Sequence, residues 1–88
     1  MKIYYSSKFA REYKKLSLKV KQIAEKKERI FRKDSFDSRL NTHKLKGDLN
    51  GFWSFSINDK HRIIFEFRDK KTIWFHSVGN HSIYNRWD

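Results

Sequence analysis

Three apolar segments follow one another closely in the second half of the chain, and short polar turns separate them. The segments cover residues 52–57, 61–68 and 72–78, with turns at 58–59 and 69–71. Strands joined by turns this short must lie antiparallel, because a parallel neighbour needs a crossover of about a dozen residues or more. The sequence therefore predicts a three-stranded antiparallel meander.

Alternation within the first two segments predicts which side chains share a face of the sheet. Large apolar residues occupy every second position, and mostly polar residues lie between them. One predicted face holds Trp53, Phe55, Ile57, Ile63, Phe65 and Phe67, and the other holds Ser54, Ser56, Arg62, Ile64, Glu66 and Arg68. If the first face lies against the rest of the core, Arg62 is directed to the open side with the two serines.

The first half of the chain predicts a short strand and two helices. Residues 3–5 form the strand, Ser6 or Ser7 caps the first helix, and the second helix follows Ser17. Apolar residues recur at helical spacing, namely Phe9, Tyr13 and Leu16 in the first helix and Val20, Ile23, Ala24, Ile30 and Phe31 in the second. Residues 34–42 are predicted to be a loop and residues 47–51 a turn, with glycine at both ends.

Helices that precede a meander predict an α+β fold. We expect one domain over residues 1–88, in which the two N-terminal helices pack on one face of a small, mainly antiparallel sheet. The opposite sheet face is left for function.

The charge of the chain is high and unevenly distributed. Twenty-one Lys and Arg against ten Asp and Glu give a net charge of +11, of which residues 1–33 carry +9 and residues 34–88 carry +2. Such a field attracts phosphate backbones, anionic lipid or an acidic protein. The helical half is therefore predicted to be an electrostatic platform, for which we favour contact with RNA, and the chemistry is sought in the second half.

Several classes of site and location are excluded by the composition. Cysteine is absent, which excludes disulfides and thiolate metal sites. A zinc site formed by His76 and His81 lacks further ligands, so no metal is expected. The longest apolar runs have three residues, and residues 1–6 lack the apolar region of a signal peptide. We therefore expect a cytoplasmic protein that makes no membrane contact.

One run of the sequence carries a family resemblance. Residues 43–54 read HKLKGDLNGFWS, and HRIIF at 61–65 and VGNH at 78–81 follow. This set, together with residues 36–40, resembles the RelE/YoeB/YafQ toxins of bacterial type II toxin–antitoxin systems, in the RelE/ParE superfamily. The resemblance covers nearly the whole chain and implies the RelE-like microbial ribonuclease fold.

The resemblance also implies a function and a set of partners. Members of this kind are ribosome-dependent endonucleases that cut mRNA in the A site of the 70S ribosome, with no metal or other cofactor. The implied partners are this mRNA, ribosomal RNA and an acidic antitoxin that inhibits the toxin. Operator DNA is a further candidate partner of the toxin–antitoxin complex.

Site residues carry over position by position. His43 stands where members place a histidine or a glutamate as general base, and Arg62 where an arginine holds the scissile phosphate. His81 stands near the C-terminal histidine that protonates the leaving group. Tyr84 corresponds to a C-terminal aromatic residue that stacks on a base, although it follows His81 by three residues where four are expected.

Two positions depart from the family pattern. Ser56 and Lys60 stand where YafQ-like members carry a catalytic histidine and a catalytic aspartate, and the full lysine and arginine set of RelE is not reproduced.

The residues themselves fit this chemistry. Metal-free RNA cleavage needs a base for the ribose 2′-hydroxyl, a cation for the crowded phosphorane and an acid for the departing oxygen. Histidine suits both proton transfers, and Lys44 and Lys46 are predicted to follow a phosphate backbone as substrate-binding residues.

Structural alternatives remain open for each of these residues. His43 could end a loop, Arg62 could pair with Glu66, His81 could end the last strand, and Tyr84 could pack in the core. The lysine pair could simply be solvated. His61 and His76 are interpreted as structural or surface residues.

Three rival functions also remain open at this stage. A ParE-like toxin shares the fold and inhibits DNA gyrase without cutting RNA. A plain nucleic-acid-binding module would need only the charge. An inactive toxin could act as a DNA-binding corepressor together with its antitoxin.

Overall fold

The computed structural model describes residues 1–84, which form an α+β fold as the sequence predicts. The helices are α1 (Ser7–Lys14) and α2 (Leu18–Lys33), and the strands are β1 (Lys2–Tyr5), β2 (His43–Lys44), β3 (Trp53–Ser56), β4 (Arg62–Phe67) and β5 (Thr72–Gly79). Short 3-10 helices cover Ser38–Leu40, Gly47–Leu49 and His81–Tyr84.

The strands form one sheet in the order β1-β5-β4-β3-β2. Strands β3, β4 and β5 are the predicted antiparallel meander, and β2 extends it antiparallel to β3. The first strand lies at the opposite edge, parallel to β5. Strand β1 therefore pairs with β5, the last strand of residues 1–84, so the first and last strands of the described chain are neighbours in the sheet.

Serines begin both helices, as the sequence indicates. The Ser6 hydroxyl accepts a hydrogen bond of 2.9 Å from the Phe9 amide, and the Ser17 hydroxyl accepts one of 3.2 Å from the Val20 amide. Each bond satisfies an amide that has no partner within its helix. Of the two candidate caps for the first helix, Ser6 is therefore the one used.

Phenylalanine side chains form the centre of the core between the helices and the sheet. The Phe31 ring of α2 lies 4.9 Å from Phe55, 5.0 Å from Phe65 and 5.5 Å from Phe75, measured between ring centroids. All four rings are fully buried. The alternation predicted for β3 and β4 is confirmed, because Phe55, Ile63 and Phe65 all belong to this core cluster.

The second sheet face is only partly open. Ile64 lies on it, as the alternation predicts, yet it is fully buried. Leu49 and Ile83, from two of the 3-10 helices, are also buried and lie outside the core cluster under the helices. Tyr84 shares a hydrogen bond of 2.9 Å with Ser54, the residue paired with Ile64 across β3 and β4. The C-terminal 3-10 helix therefore lies over this face and covers its middle.

Two features of the fold are not visible in the sequence pattern. Leu40 is fully buried within the predicted loop 34–42, because a 3-10 turn carries it into the core. Glu12 of α1 accepts hydrogen bonds from the Ser77 hydroxyl (2.7 Å) and the Val78 amide (3.1 Å). It supplies an acceptor along the edge of β5 beyond the point where pairing with β1 ends.

Neither helix among residues 1–84 is long and apolar enough to cross a bilayer.

Candidate active site

A cleft of about 370 Å³ opens beside the C-terminal 3-10 helix, on the partly open face of the sheet. The residues that line it are His43, Leu45, Lys46, Leu49, Arg62, His81 and Tyr84. Five of the six residues that the sequence predicts for the site therefore meet around one cleft. They come from β2, β4 and two 3-10 segments, which only the folded sheet brings together.

His43 is held at the exposed edge of the sheet with a defined ring orientation. It pairs with Ser54 in the register of β2 and β3. Its Nδ1 lies 2.9 Å from the carbonyl oxygen of Asn41, a residue with a left-handed backbone at φ 51°. A carbonyl only accepts, so in the neutral ring Nδ1 carries the proton and Nε2 keeps its lone pair. This tautomer is the one that a general base needs.

Arg62 begins β4, and the turn that precedes it fixes its guanidinium. One guanidinium nitrogen, Nη1, donates hydrogen bonds to the carbonyl oxygens of Asn58 (2.5 Å) and His61 (3.0 Å). The Asn58 side-chain oxygen in turn accepts from the amides of Lys60 (2.9 Å) and His61 (2.7 Å). Asn58 therefore stabilises the turn, and the carbonyl groups of the turn fix the orientation of the Arg62 side chain.

The alternative role of Arg62 as a partner of Glu66 does not fit this geometry. Glu66 lies 2.6 Å from the His76 Nε2 and 3.3 Å from the Arg68 guanidinium. No carboxylate within residues 1–84 forms an ion pair with Arg62. None of the described residues that line the cleft is acidic, so the charge of Arg62 is available to an anionic ligand.

The C-terminal 3-10 helix supplies the other wall of the cleft. His81 is exposed at its start, and the centroid of its ring lies 6.0 Å from that of Tyr84. Tyr84 both lines the cleft and is anchored to β3 through Ser54. The packing and binding interpretations of Tyr84 are thus compatible in this position.

The two lysines of the motif are separated. Lys46 lines the cleft, whereas the Lys44 ammonium lies 5.8 Å from the centroid of the Trp53 ring. Lys44 pairs with Trp53 in the register of β2 and β3, so it shares the core-side face of Trp53. The regular strand pairing of β2 ends at Lys44, so it does not align Lys46 with Lys44 on one face of the sheet.

The two positions that depart from the family pattern do not line the cleft. Ser56 is buried and pairs with Arg62 across β3 and β4, and Lys60 is exposed in the turn between these strands. His76 and His61 make side-chain contacts to Glu66 and to Asn58 respectively, in line with a structural role. Within residues 1–84, no three His, Asp or Glu side chains are grouped as metal ligands.

Sequence reasoning missed Asn58, Leu45 and Leu49. Asn58 was recognised as a turn residue, but its contact with the Arg62 side chain depends on where β4 begins. The two leucines give the floor of the cleft its apolar character, and the family motif that contains them is their only signal.

A family model described as the bacterial toxin of a type II toxin–antitoxin system, YafQ, matches residues 1–85. The chain belongs to the YafQ toxin family. The resemblance found in the sequence is thereby confirmed. No curated protein sequence matches the chain.

Solved toxin structures share the fold of this YafQ family member. YafQ from E. coli strain BL21(DE3) superposes with a TM-score of 0.79 at 15% identity, over 94% of this chain and 96% of that one. A YoeB/ParE toxin from Agrobacterium tumefaciens gives 0.77 at 19% identity, over 92% and 99%. YoeB in a YoeB–YefM complex from Staphylococcus aureus gives 0.75 at 22% identity, over 92% and 97%. The predicted microbial ribonuclease fold is confirmed.

The role of Asn58 in this YafQ family member can be tested by hydrogen exchange. Asn58→Ala removes the acceptor of the Lys60 and His61 amides, so both should exchange faster, with a stability loss of about 1 kcal/mol. Asn58→Asp keeps an acceptor and should retain most of the protection. Asn50→Ala, at an exposed asparagine outside this turn, is the matched control. Unchanged exchange of both amides in Asn58→Ala would contradict the role.

Proposed function

We propose that the chain, acting as one domain over residues 1–88, is a ribosome-dependent mRNA endonuclease and the toxin of a toxin–antitoxin pair. The observation that carries the proposal is the meeting of His43, Arg62 and His81 around one cleft, whose lining among residues 1–84 includes no acidic side chain. A base, a phosphate-binding cation and an acid are the groups that metal-independent RNA cleavage requires.

The proposed reaction uses the ribose 2′-hydroxyl of the substrate as nucleophile. His43 Nε2 takes the 2′-hydroxyl proton, and the oxygen attacks the adjacent phosphorus. The bond from phosphorus to the 5′-oxygen of the next nucleotide breaks, and His81 gives that oxygen a proton. The products are a 2′,3′-cyclic phosphate and a 5′-hydroxyl, and the exchange of protons leaves the two histidines in opposite protonation states.

Arg62 is assigned to the phosphate. Its Nη1 is engaged by two turn carbonyls, which leaves the remaining guanidinium nitrogens to bind phosphate oxygens. Negative charge grows on those oxygens as the phosphorane forms, so this contact strengthens in the transition state. A guanidinium fixed before the substrate arrives needs little reorganisation, which is the condition for such a contact to raise the rate.

Lys46 and Tyr84 are assigned to substrate binding. Lys46 adds a second positive charge at the rim of the cleft, and the Tyr84 ring offers a surface for a base beside His81. Lys44 contacts Trp53 instead, so we propose for it at most a long-range electrostatic contribution.

The rival functions make opposite predictions for the same residues. A ParE-like gyrase inhibitor, a plain nucleic-acid-binding module and an inactive corepressor do not need His43 or His81. The substitutions at Ser56 and Lys60 are the departures that an inactive member would carry, so direct measurement of cleavage is decisive.

We further propose an acidic antitoxin as partner. Related toxins have been solved as complexes, YoeB with YefM from Staphylococcus aureus and YafQ with DinJ from E. coli. In this chain a depression of about 570 Å³ beside α2 is lined by Lys26, Arg29, Ile30, Lys33, Asp37 and Arg39. A hydrogen bond from the Arg39 guanidinium holds the pKa of Asp37 at about 2. Asp37 therefore stays ionised and offsets Arg39, and the other three cations remain for an acidic segment or for ribosomal RNA.

The arginine substitution tests the proposed activity. Arg62→Ala should lower mRNA cleavage by roughly 10²- to 10³-fold, because a preorganised donor to the phosphorane is lost. Arg62→Lys keeps the charge without the planar fork and should recover only part of the rate. Primer extension on mRNA in a translating extract measures the cut.

Arg11→Ala, which removes an exposed arginine of α1 that lines neither the cleft nor the depression beside α2, is the control and should cut normally. The central assignment is wrong if Arg62→Ala is folded, binds antitoxin and cuts as fast as the unmodified protein. Cutting of free mRNA without ribosomes would remove the ribosome from the proposal.

The two histidines should divide the pH dependence of cleavage. A base must be unprotonated and an acid protonated, so the rate should rise with pH on the acidic limb through His43 and fall on the alkaline limb through His81. Each alanine variant should cut about 10²- to 10⁴-fold more slowly. His43→Ala should remove only the acidic limb of the pH–rate profile, and His81→Ala only the alkaline limb. Rates on purified programmed ribosomes give the profile, and exchanged limbs would mean exchanged roles.

Co-purification tests the partner. The native protein should leave its cells bound to a protein with an excess of Asp and Glu, and part of this binding should survive high salt because apolar contacts accompany the charge. Recovery of the chain as a free monomer, from cells that tolerate its expression, argues directly against an antitoxin.

A further inference from the structure

A row of stacked rings lies on the same sheet face as the cleft, at the opposite edge of the sheet. Tyr4 of β1 and Trp74 of β5 stack with centroids 5.4 Å apart and planes 25° apart. Trp74 and His76 continue the row at 6.1 Å and 18°. Tyr4 and Trp74 are also paired across β1 and β5. The row therefore lies on the edge strand β1 and on its neighbour β5.

Cations lie at one end of this row, although the Glu66 carboxylate, which contacts His76 and Arg68, offsets part of the charge. The Arg68 guanidinium lies 5.0 Å from the centroid of the Trp74 ring. Lys70 and Lys71 are exposed in the turn before β5, and the Lys2 amide donates a hydrogen bond of 2.7 Å to the Lys71 carbonyl. The backbone thus brings Lys2 to the same end of the sheet as this turn. Several cations lie within reach of a phosphate backbone that crosses the row.

Packing explains only part of this arrangement. Trp74 is half-buried between its neighbours, but Tyr4 leaves 44% of its surface exposed on an edge strand. Exposed rings on a sheet, flanked by lysine and arginine, are the combination with which proteins bind single-stranded nucleic acid, since every base has a face that can stack.

The row is connected to the cleft across the sheet. Glu66 pairs with Trp74, and Ile64, two residues earlier on β4, pairs with Ser54, which in turn pairs with His43. The Phe52 ring lies 5.2 Å from His76 and fills the interval between the two sites. The span from β2 to β1 is four strand spacings, roughly 20 Å, a distance that a few extended nucleotides cover.

We propose that Tyr4, the exposed end of the row, forms a second RNA subsite that stacks a base of the single-stranded substrate a few nucleotides from the cut, with Trp74 supporting the Tyr4 ring from behind. This inference rests on the proposed function, because it takes the cleft as the position of the scissile phosphate. Lys70 and Lys71 hold the phosphates of that segment, while Arg68, which is paired with Glu66, stays against the Trp74 ring. Binding there adds affinity and positions the strand, while the chemistry stays in the cleft.

The test is the binding of a short, fluorescein-labelled 2′-O-methyl RNA, which the protein cannot cleave, followed by fluorescence anisotropy with the full chain freed of antitoxin. Tyr4→Leu keeps an apolar side chain and removes the ring, and the affinity should fall about 5- to 150-fold. Tyr4→Phe keeps the ring and should bind as tightly as the unmodified protein. Trp74→Leu, checked for folding by its melting temperature, should repeat the loss.

A matched control comes from the opposite sheet face. Phe36 is 56% exposed and packs on Trp53 and Phe67 at the core side, so Phe36→Leu should leave RNA affinity unchanged. The proposal is overturned if Tyr4→Leu binds this RNA as tightly as the unmodified protein. It is equally overturned if Tyr4→Leu weakens only the capture of the acidic antitoxin, because the row is then a protein-docking surface.

Cleavage measured on the same proteins tests the RNA subsite and the proposed activity separately. If the unmodified chain binds RNA through the row but cuts nothing on ribosomes, the subsite stands and the proposed activity fails. If the unmodified chain cuts and Tyr4→Leu matches it in both binding and cutting, the activity stands and the subsite fails.

Discussion

Ile64 is fully buried on the sheet face against which neither helix of residues 1–84 packs, and the burial of this face determines where a site can form. Both helices of the described chain pack on the opposite face, around Phe31. The second face is covered instead by short 3-10 segments that contribute Leu49 and Ile83. Segments this short cannot cover a five-stranded sheet completely, and the part left uncovered beside them is the cleft.

The same covering segment brings the distant site residues together. The 3-10 helix His81–Tyr84 follows directly after β5, and the hydrogen bond between the Tyr84 and Ser54 hydroxyls holds it across the sheet. His81 is thereby placed opposite β2 and His43 without a long loop. Stability and the shape of the cleft are coupled here, because one contact both holds the 3-10 helix over the buried Ile64 and builds a wall of the cleft.

The sequence predicted those elements whose pattern is periodic and local. The alternation in residues 52–57 and 61–68 is regular because one face of each strand meets a continuous core, and the serine caps are set by hydrogen bonds within one helical turn. The burial of Leu40 and the edge contact of Glu12 were not predicted, since each depends on a partner far away in the chain. A single apolar residue in a polar segment has no period.

The candidate site was predicted by a different route. His43, Arg62 and His81 were selected through a family motif and the demands of RNA cleavage, and the fold then brought them to one cleft. The separation of Lys44 from Lys46 was missed because β2 is only two residues long. Asn58 was missed because its effect on Arg62 passes through main-chain carbonyls, which no sequence pattern records.

The central claim is that the cleft directs the ribose 2′-hydroxyl to attack the adjacent phosphate. The most direct test of this claim changes the substrate. Ribosomes are programmed with an mRNA that carries one 2′-deoxynucleotide immediately 5′ of the mapped cut, and with the matching all-ribose mRNA. The account predicts that the all-ribose message is cut to a 2′,3′-cyclic phosphate and that the deoxy message stays intact at that position. Equal cutting of both messages would contradict it, since the nucleophile would then have to be another group.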